Sequence, residues 1–258
     1  MLDATERLHS ELVELINTNQ YFVIHAARQT GKTTLLINLA NKINKEGKYY
    51  AVYCSLENAY VTPEPEKGIP TIINSLQMDL ENYSMPYVER FKEHIDLSDY
   101  ANVLRFALRN YCRLLDKPLI IFFDEADCLS ENTLLSFLRQ LRNGFVNRHI
   151  APFPMSIALV GMRNIRDYKA MIRENQDTLG TASPFNIIKQ SLNLRNFTRE
   201  EVAALYKQHT DETGQVFENP AVELAFEQTQ GQPWLVNAIA GEVIERQLKK
   251  DFSIPITA

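Results

Sequence analysis

Cysteine is scarce in this chain, and its three thiols, Cys54, Cys112 and Cys128, stand apart with no C-x-x-C spacing. That spacing excludes a disulfide framework and a zinc ribbon and fits reduced thiols. Long apolar runs are missing too: none approaches the roughly 20 residues that span a bilayer. The opening Met1-Leu2-Asp3-Ala4-Thr5-Glu6 lacks the basic and apolar stretches of a secretory leader, so a cytoplasmic location is expected. There is a single tryptophan, and no internal repeat or low-complexity tract. Positive charge is not in excess, the net charge being −5, which argues against nonspecific nucleic-acid binding by the whole surface but leaves room for a local basic patch. A guanine-reading N-K-x-D is absent. What remains is 258 residues, 45% hydrophobic and 23% charged, enough for one large domain or one domain and a small companion.

Against this background one octet stands out. Ala26-Ala27-Arg28-Gln29-Thr30-Gly31-Lys32-Thr33 fits [A/G]-x-x-x-x-G-K-[S/T], a phosphate-binding loop, and Thr34 follows it. The apolar run Tyr21-Phe22-Val23-Ile24 precedes it, and a helical stripe of Leu35, Leu39 and Ile43, flanked by Leu36 and Ala40, follows. Strand, loop and helix start are the context the motif requires. N–H groups at a helix start have no intrahelical partner and point at an anion. Lys32 adds a positive charge for the β- and γ-phosphates, and the Thr33 hydroxyl is small enough to sit on Mg²⁺. Ala26 stands where a glycine would allow free φ and close backbone approach. The plainer alternative is a strand–turn–helix with a surface lysine.

A second element supports the first. Leu119-Ile120-Ile121-Phe122-Phe123-Asp124-Glu125 is an apolar run ending in two carboxylates. Continuous apolar runs are typical of parallel strands covered on both faces, and the carboxyl ends of such strands are where open α/β sheets bind ligands. In this arrangement Asp124 would hold Mg²⁺ and Glu125 would orient or deprotonate an attacking water. Without the loop upstream, the pair would read as a charged turn.

The pattern along the chain is one of strands separated by helices, hence a parallel sheet. A short helix is expected over about 5–17, strands at 49–54, 119–124, 157–161 and 191–194, and helices at about 72–80 and 100–115. Ser130 can cap a further helix carrying Leu134, Leu135, Phe137, Leu138 and Leu141. The stretch Glu57 to Pro70, with Pro63, Pro65, Gly68 and Pro70, reads as a loop. After residue 195 the pattern turns all-helical: Thr198-x-x-Glu201 is a capping box with Phe197 and Val202 as its staple, Asn219-Pro220 starts a second helix that Gly231 can stop, and 232–248 is a third. A domain boundary is therefore placed near 195, giving 1–195 and 196–258. The apolar tail Phe252 to Ala258 shows no finishing element, as in a fragment of a longer protein.

This order of elements resembles the AAA+ and STAND group of P-loop ATPases. Within it, Phe22 to Thr33, Ala158-Leu159-Val160-Gly161-Met162-Arg163 and Gly231-Gln232-Pro233-Trp234-Leu235-Val236-Asn237 are similar to a prokaryotic AAA-like ATP-binding family. The resemblance implies an α/β P-loop NTPase sheet with helices on both faces, followed by a small helical lid. It puts the strand 157–161 between the phosphate-loop strand and the Asp124 strand. It implies ATP with Mg²⁺, Thr33 and Asp124 as metal ligands, Glu125 and Lys32 as catalytic groups, and Arg163 as a γ-phosphate sensor, the alternative being a surface pair with Asp167. Pro233 would approach the adenine; locally it is also a good first residue for a helix. Trp234 stands where AAA+ proteins often carry a lid arginine, which disfavours initiator-type and transposition-type relatives. Arg142 or Arg148 would be a finger reaching a neighbour in a homo-oligomer. The leading function is slow ATP hydrolysis coupled to a conformational or assembly change. A nucleotide-dependent switch or scaffold acting on a protein partner, and a DNA-associated ATPase, are the alternatives.

Overall fold

The computed structural model describes residues 9–60, 62, 64–162 and 184–258. Taken over these residues, it divides into two compact units. One holds Leu8–Ala26 and Leu36–Asn193, the other Ala27–Leu35 and Leu194–Ala258.

The first unit is built on a parallel sheet. Strands β1 (Tyr21–His25), β2 (Tyr50–Ser55), β3 (Leu119–Asp124), β4 (Ser156–Gly161) and β5 (Ile188–Asn193) lie in the order β2-β3-β4-β1-β5. The strand 157–161 thus runs between the other two as expected. β3 and β4 are buried along their whole length, which is why both read as unbroken apolar runs. Helices α1 (His9–Asn17), α2 (Lys32–Glu46), α3 (Pro65–Asn82), α4 (Val103–Cys112) and α5 (Glu131–Asn147) alternate with them. The expected stripe of α2 is buried, Leu35, Leu36 and Ala40 completely. Ser130 caps α5, its hydroxyl accepting from the Thr133 N–H.

The stretch expected as a loop is half helix. Glu57–Ala59 forms a short 3₁₀ turn, and α3 begins at Pro65. Pro65 occupies the first turn, where its missing N–H costs nothing. Pro70 does forgo a bond, at a cost of about 3 kcal/mol. Ile69, Ile72, Ile73, Leu76 and Leu80 are all buried on the same helix, and at about 1.5–3 kcal/mol each they outweigh it. Gly68 lets α3 approach α5: a Cβ there would lie 2.6 Å from Thr133 Cγ2.

The second unit carries α6 (Arg199–Thr213), α7 (Asn219–Thr229) and α8 (Pro233–Gly241). The Thr198/Glu201 capping box is formed in both directions. Val202, Tyr206, Val222, Ala225 and Val236 make its core, and Tyr206 stacks on Phe217 at 4.3 Å. The third helix is shorter than expected: α8 ends at Gly241 and a π-helical turn, Glu242–Gln247, follows. The tail does have a structural partner. Ile256 bridges to Phe217, accepting from the Glu218 N–H at 3.0 Å and donating to the Val216 carbonyl at 2.9 Å.

All three cysteines are free, as expected. Among the described residues no helix is long and apolar enough to cross a membrane.

One buried polar bond links the sheet to the segment before β4. Tyr21 is fully buried, its ring 4.7 Å from Phe145, and its hydroxyl donates to the Pro154 carbonyl at 2.9 Å. Burial holds that phenol well above its usual pKa, so it remains a donor. Tyr21→Phe leaves the Pro154 carbonyl without this donor and is expected to cost about 1–3 kcal/mol, measured as a lower urea midpoint with an unchanged m-value.

Candidate functional site

Parallel register brings the carboxyl ends of the strands to one edge. His25 lies opposite Gly161 on one side and Asn193 on the other, and Ser55 lies opposite Asp124. Each residue at this edge is the last the sheet holds before the chain is released into a loop.

At the end of β1, Ala26 is 4% exposed and its N–H donates to the Gly161 carbonyl at 3.2 Å. Ala26 is not among the residues with left-handed backbone, so the conformational freedom of glycine is not needed there. Left-handed residues come later, Gln29 at φ 61° and Gly31 at φ 84°. Gly31 is suited to this; Gln29 is an uncommon occupant of the region. His25 is a strand-end residue, with Nδ1 3.1 Å from Ser191 Oγ.

Side chains take up the loop carbonyls. The Thr30 hydroxyl and the Lys32 ammonium both donate to the Ala27 carbonyl, at 3.0 and 2.8 Å. Gln232 reaches the next two, its Nε2 donating to Arg28 at 3.4 Å and Gln29 at 3.3 Å. In a trans peptide the following N–H points opposite to the carbonyl. The N–H groups of Arg28, Gln29 and Thr30 therefore face away from these donors. Loop amides ahead of a helix start, with a lysine beside them, suit an anion. The Leu35 N–H donates to the Gly31 carbonyl at 3.0 Å, a bond that is already helical. Arg28, Gln29, Thr33 and Thr34 are exposed, Gly31 and Lys32 half-buried, and Thr30 is buried.

At the end of β3, Asp124 is 1% exposed. Its Oδ1 accepts from the Glu125 N–H at 2.9 Å and its Oδ2 from the Tyr53 hydroxyl at 3.3 Å. Glu125 is exposed, in left-handed backbone at φ 58°, and its carbonyl accepts from the Cys128 N–H at 2.9 Å. Burial, together with Glu125, Asp127 and Glu57, pushes the Cys128 thiol up to about 12, so it stays protonated and donates to the Leu56 carbonyl. Among the described residues no group of three or more His, Cys, Asp and Glu could cage a metal. A single carboxylate such as Asp124 suits a cation like Mg²⁺, which keeps several waters and takes few ligands from protein.

In the helical unit, Gly231 has φ 70°, and a Cβ there would run into the Phe197 carbonyl. The Phe197 N–H donates back to the Gly231 carbonyl at 2.9 Å. Gln232 is the N-cap of α8, accepting from the Leu235 N–H at 2.6 Å through Oε1 while Nε2 serves the loop. Pro233 is buried in the first turn of α8, and Trp234 is 52% exposed.

Two residues here were not singled out from the sequence. Tyr53 sits on the strand beside Asp124, where only strand pairing reveals it. Gln232 lies inside the G-x-P segment, but no sequence rule assigns its amide to the loop. Arg163 lies outside the described residues. Arg148 donates to the carbonyls of Asn19 (2.8 Å) and Met155 (3.4 Å) and covers the Phe145 ring at 4.0 Å, so projecting it would break these contacts. Arg142 has its Nε buried with no hydrogen-bond partner.

No curated protein matches the chain. Among solved structures, it is similar to a Walker-type ATPase of Pyrococcus abyssi, with TM-score 0.66 and 18% identity, covering 98% of this chain and 69% of that one. It is similar to Cdc6p of Pyrobaculum aerophilum at TM-score 0.61 and 14% identity, covering 96% and 62%. The RuvB Holliday junction branch migration motor of Thermotoga maritima follows at TM-score 0.52 and 13% identity, covering 98% and 64%. The chain thus spans less than two thirds of the latter two proteins. At these identities the likeness is one of fold. A sequence profile of the AAA domain family matches residues 16–168, more than half of the chain and including both the phosphate loop and the Asp-Glu strand. The chain belongs to the AAA domain family of P-loop ATPases.

Proposed function

We propose that this protein binds ATP with Mg²⁺, hydrolyses it slowly, and passes the state of the phosphate loop to the helical unit. The observation that carries this reading is the double hold of Gln232, which caps α8 with one end of its amide and grips the loop carbonyls with the other. In this reading the loop amides from Ala27 to Thr34 and the Lys32 ammonium bind the phosphates. Thr33 and Asp124 hold Mg²⁺, which when bound supplies positive charge to the phosphate oxygens. Glu125 orients the attacking water and takes its proton, Arg163 senses the γ-phosphate, and Pro233 lies on the adenine side. The lid is the helical domain 196–258. The fold shared with Cdc6p and with a branch migration motor supports a second reading, an ATPase stimulated by DNA, and turnover measured with and without duplex separates the two. The third, a nucleotide-dependent switch or scaffold, is favoured if no turnover is found.

Lys32→Ala is expected to abolish ATP binding in calorimetry while leaving thermal stability nearly unchanged, since Lys32 is half-buried and contributes a point charge. Unchanged affinity in the folded variant would sink the site.

Glu125→Gln should bind ATP like the parent and lose turnover by about 10²-fold or more, because an amide cannot accept the proton. Asp124→Asn should in addition raise the Mg²⁺ concentration needed. Parent-like hydrolysis by Glu125→Gln removes Glu125 from the chemistry.

Trp234, two residues beyond Gln232 and half-exposed, reports on the coupling. ATP should change its fluorescence in the parent. In Gln232→Ala, ATP should still bind within about tenfold of the parent, with the signal largely lost. A full signal in that variant would mean that the loop does not reach α8 through Gln232.

A further inference from the structure

A basic pocket lies away from the strand ends, between α4 and α5. α4 carries Arg105 and Arg109, and Arg113 is its C-cap; the three follow at successive i,i+4 positions, hence on one stripe. Among the described residues Arg90, Arg195, Arg199 and Arg246 each pair with a carboxylate, and none of these three does. Arg105 has only neutral acceptors, Asn143 Oδ1 at 3.2 Å and Asn102 Oδ1 at 3.1 Å. Arg109 lies 5.1 Å from the Phe106 ring centroid, and its Nε is buried with no hydrogen-bond partner. Burial, then the charges of Arg113 and Arg105, lower its pKa, a sign of positive charge held without compensation. Arg105 and Arg109 open onto a cavity of about 330 Å³ whose other walls include Asn143, Asn147, Ile150 and Phe153.

The same rim is apolar. Ile150, one of the pocket's walls, is 75% exposed, and Val146, four residues earlier and outside the walls, is 53% exposed. Uncompensated guanidinium groups beside bare aliphatic side chains are unusual on a chain whose net charge is −5. Both deficits are met at once by carboxylates, which pair with guanidinium in a two-point geometry, flanked by apolar side chains that cover Ile150. A phosphate backbone would meet the first deficit and leave the second.

We propose that the pocket between α4 and α5 docks an acidic segment of a partner protein, one that carries carboxylates next to large apolar side chains. Arg105 and Arg109 are its charge anchors and Ile150 its apolar contact. The role is independent of the nucleotide reading.

The test uses the full chain and a fluorescein-labelled peptide alternating glutamate with leucine, read by fluorescence anisotropy. Saturable binding is expected, weakening with salt. It should fall by more than about tenfold in the double variant Arg105→Glu/Arg109→Glu and in Ile150→Asp, and hold in Arg139→Glu, an exposed arginine outside the pocket. Ile150→Asp alters an exposed position, so its fold is retained even if the double variant unfolds. Absence of saturable binding, or equal binding by the pocket variants, overturns the proposal. So does a labelled thymidine oligonucleotide whose binding is lost in the arginine variant while Ile150→Asp keeps both ligands, which would assign the pocket to nucleic acid. A concentration-dependent dimer of the parent, lost in the same variants in place of peptide binding, would assign it to a second copy of the chain.

Discussion

The parallel register of β3, β4 and β1 is the constraint on which the candidate site depends. These strands are buried on both faces, apart from the half-buried His25, so a slip in register would move apolar side chains off their partners and is opposed all along the sheet. With the register fixed, Asp124, Gly161 and His25 finish at a common edge. The bond from the Ala26 N–H to the Gly161 carbonyl carries the sheet's order one residue past β1, to the start of the phosphate loop.

Beyond that edge the backbone is held in conformations it does not favour alone. Gln29 and Glu125 are both non-glycine residues in left-handed backbone, at about 1–2 kcal/mol each. Both are held by neighbours. The Gln29 carbonyl accepts from Gln232, while Glu125 donates its N–H to Asp124 and accepts from Cys128 at its carbonyl. Strain of this kind collects where side chains must be aimed. Seven other described non-glycine residues share this backbone elsewhere in the chain; Gln29 and Glu125 are the ones that fall in the two motifs.

Much of this was legible in the sequence because the signals are local. Apolar runs mark β1, β3 and β4, the capping box marks the start of α6, and the octet marks the loop between β1 and α2. The misreadings share a cause. Pro65 and Pro70 argued for a loop, but the five apolar side chains they accompany are buried together, and burial outweighs backbone preference. The bridge from the tail to Phe217 was not foreseen, because the two are far apart in sequence. The contacts of Arg148 with Asn19 and Met155 likewise join segments far apart or loosely spaced in sequence, which position along the chain does not reveal.

The sequence by itself determined the family and the order of strands and helices along the chain. These follow from periodicity, caps and short spacings, which act between residues a few positions apart. Only the tertiary structure decided the places of β2 and β5 in the sheet, the Tyr53 bond to Asp124, the hold of Gln232 on the loop, and the stripe of arginines left without carboxylates. Each of these depends on which distant segments meet. That is a matter of how buried surfaces pack and which polar groups find partners, and no local spacing encodes it.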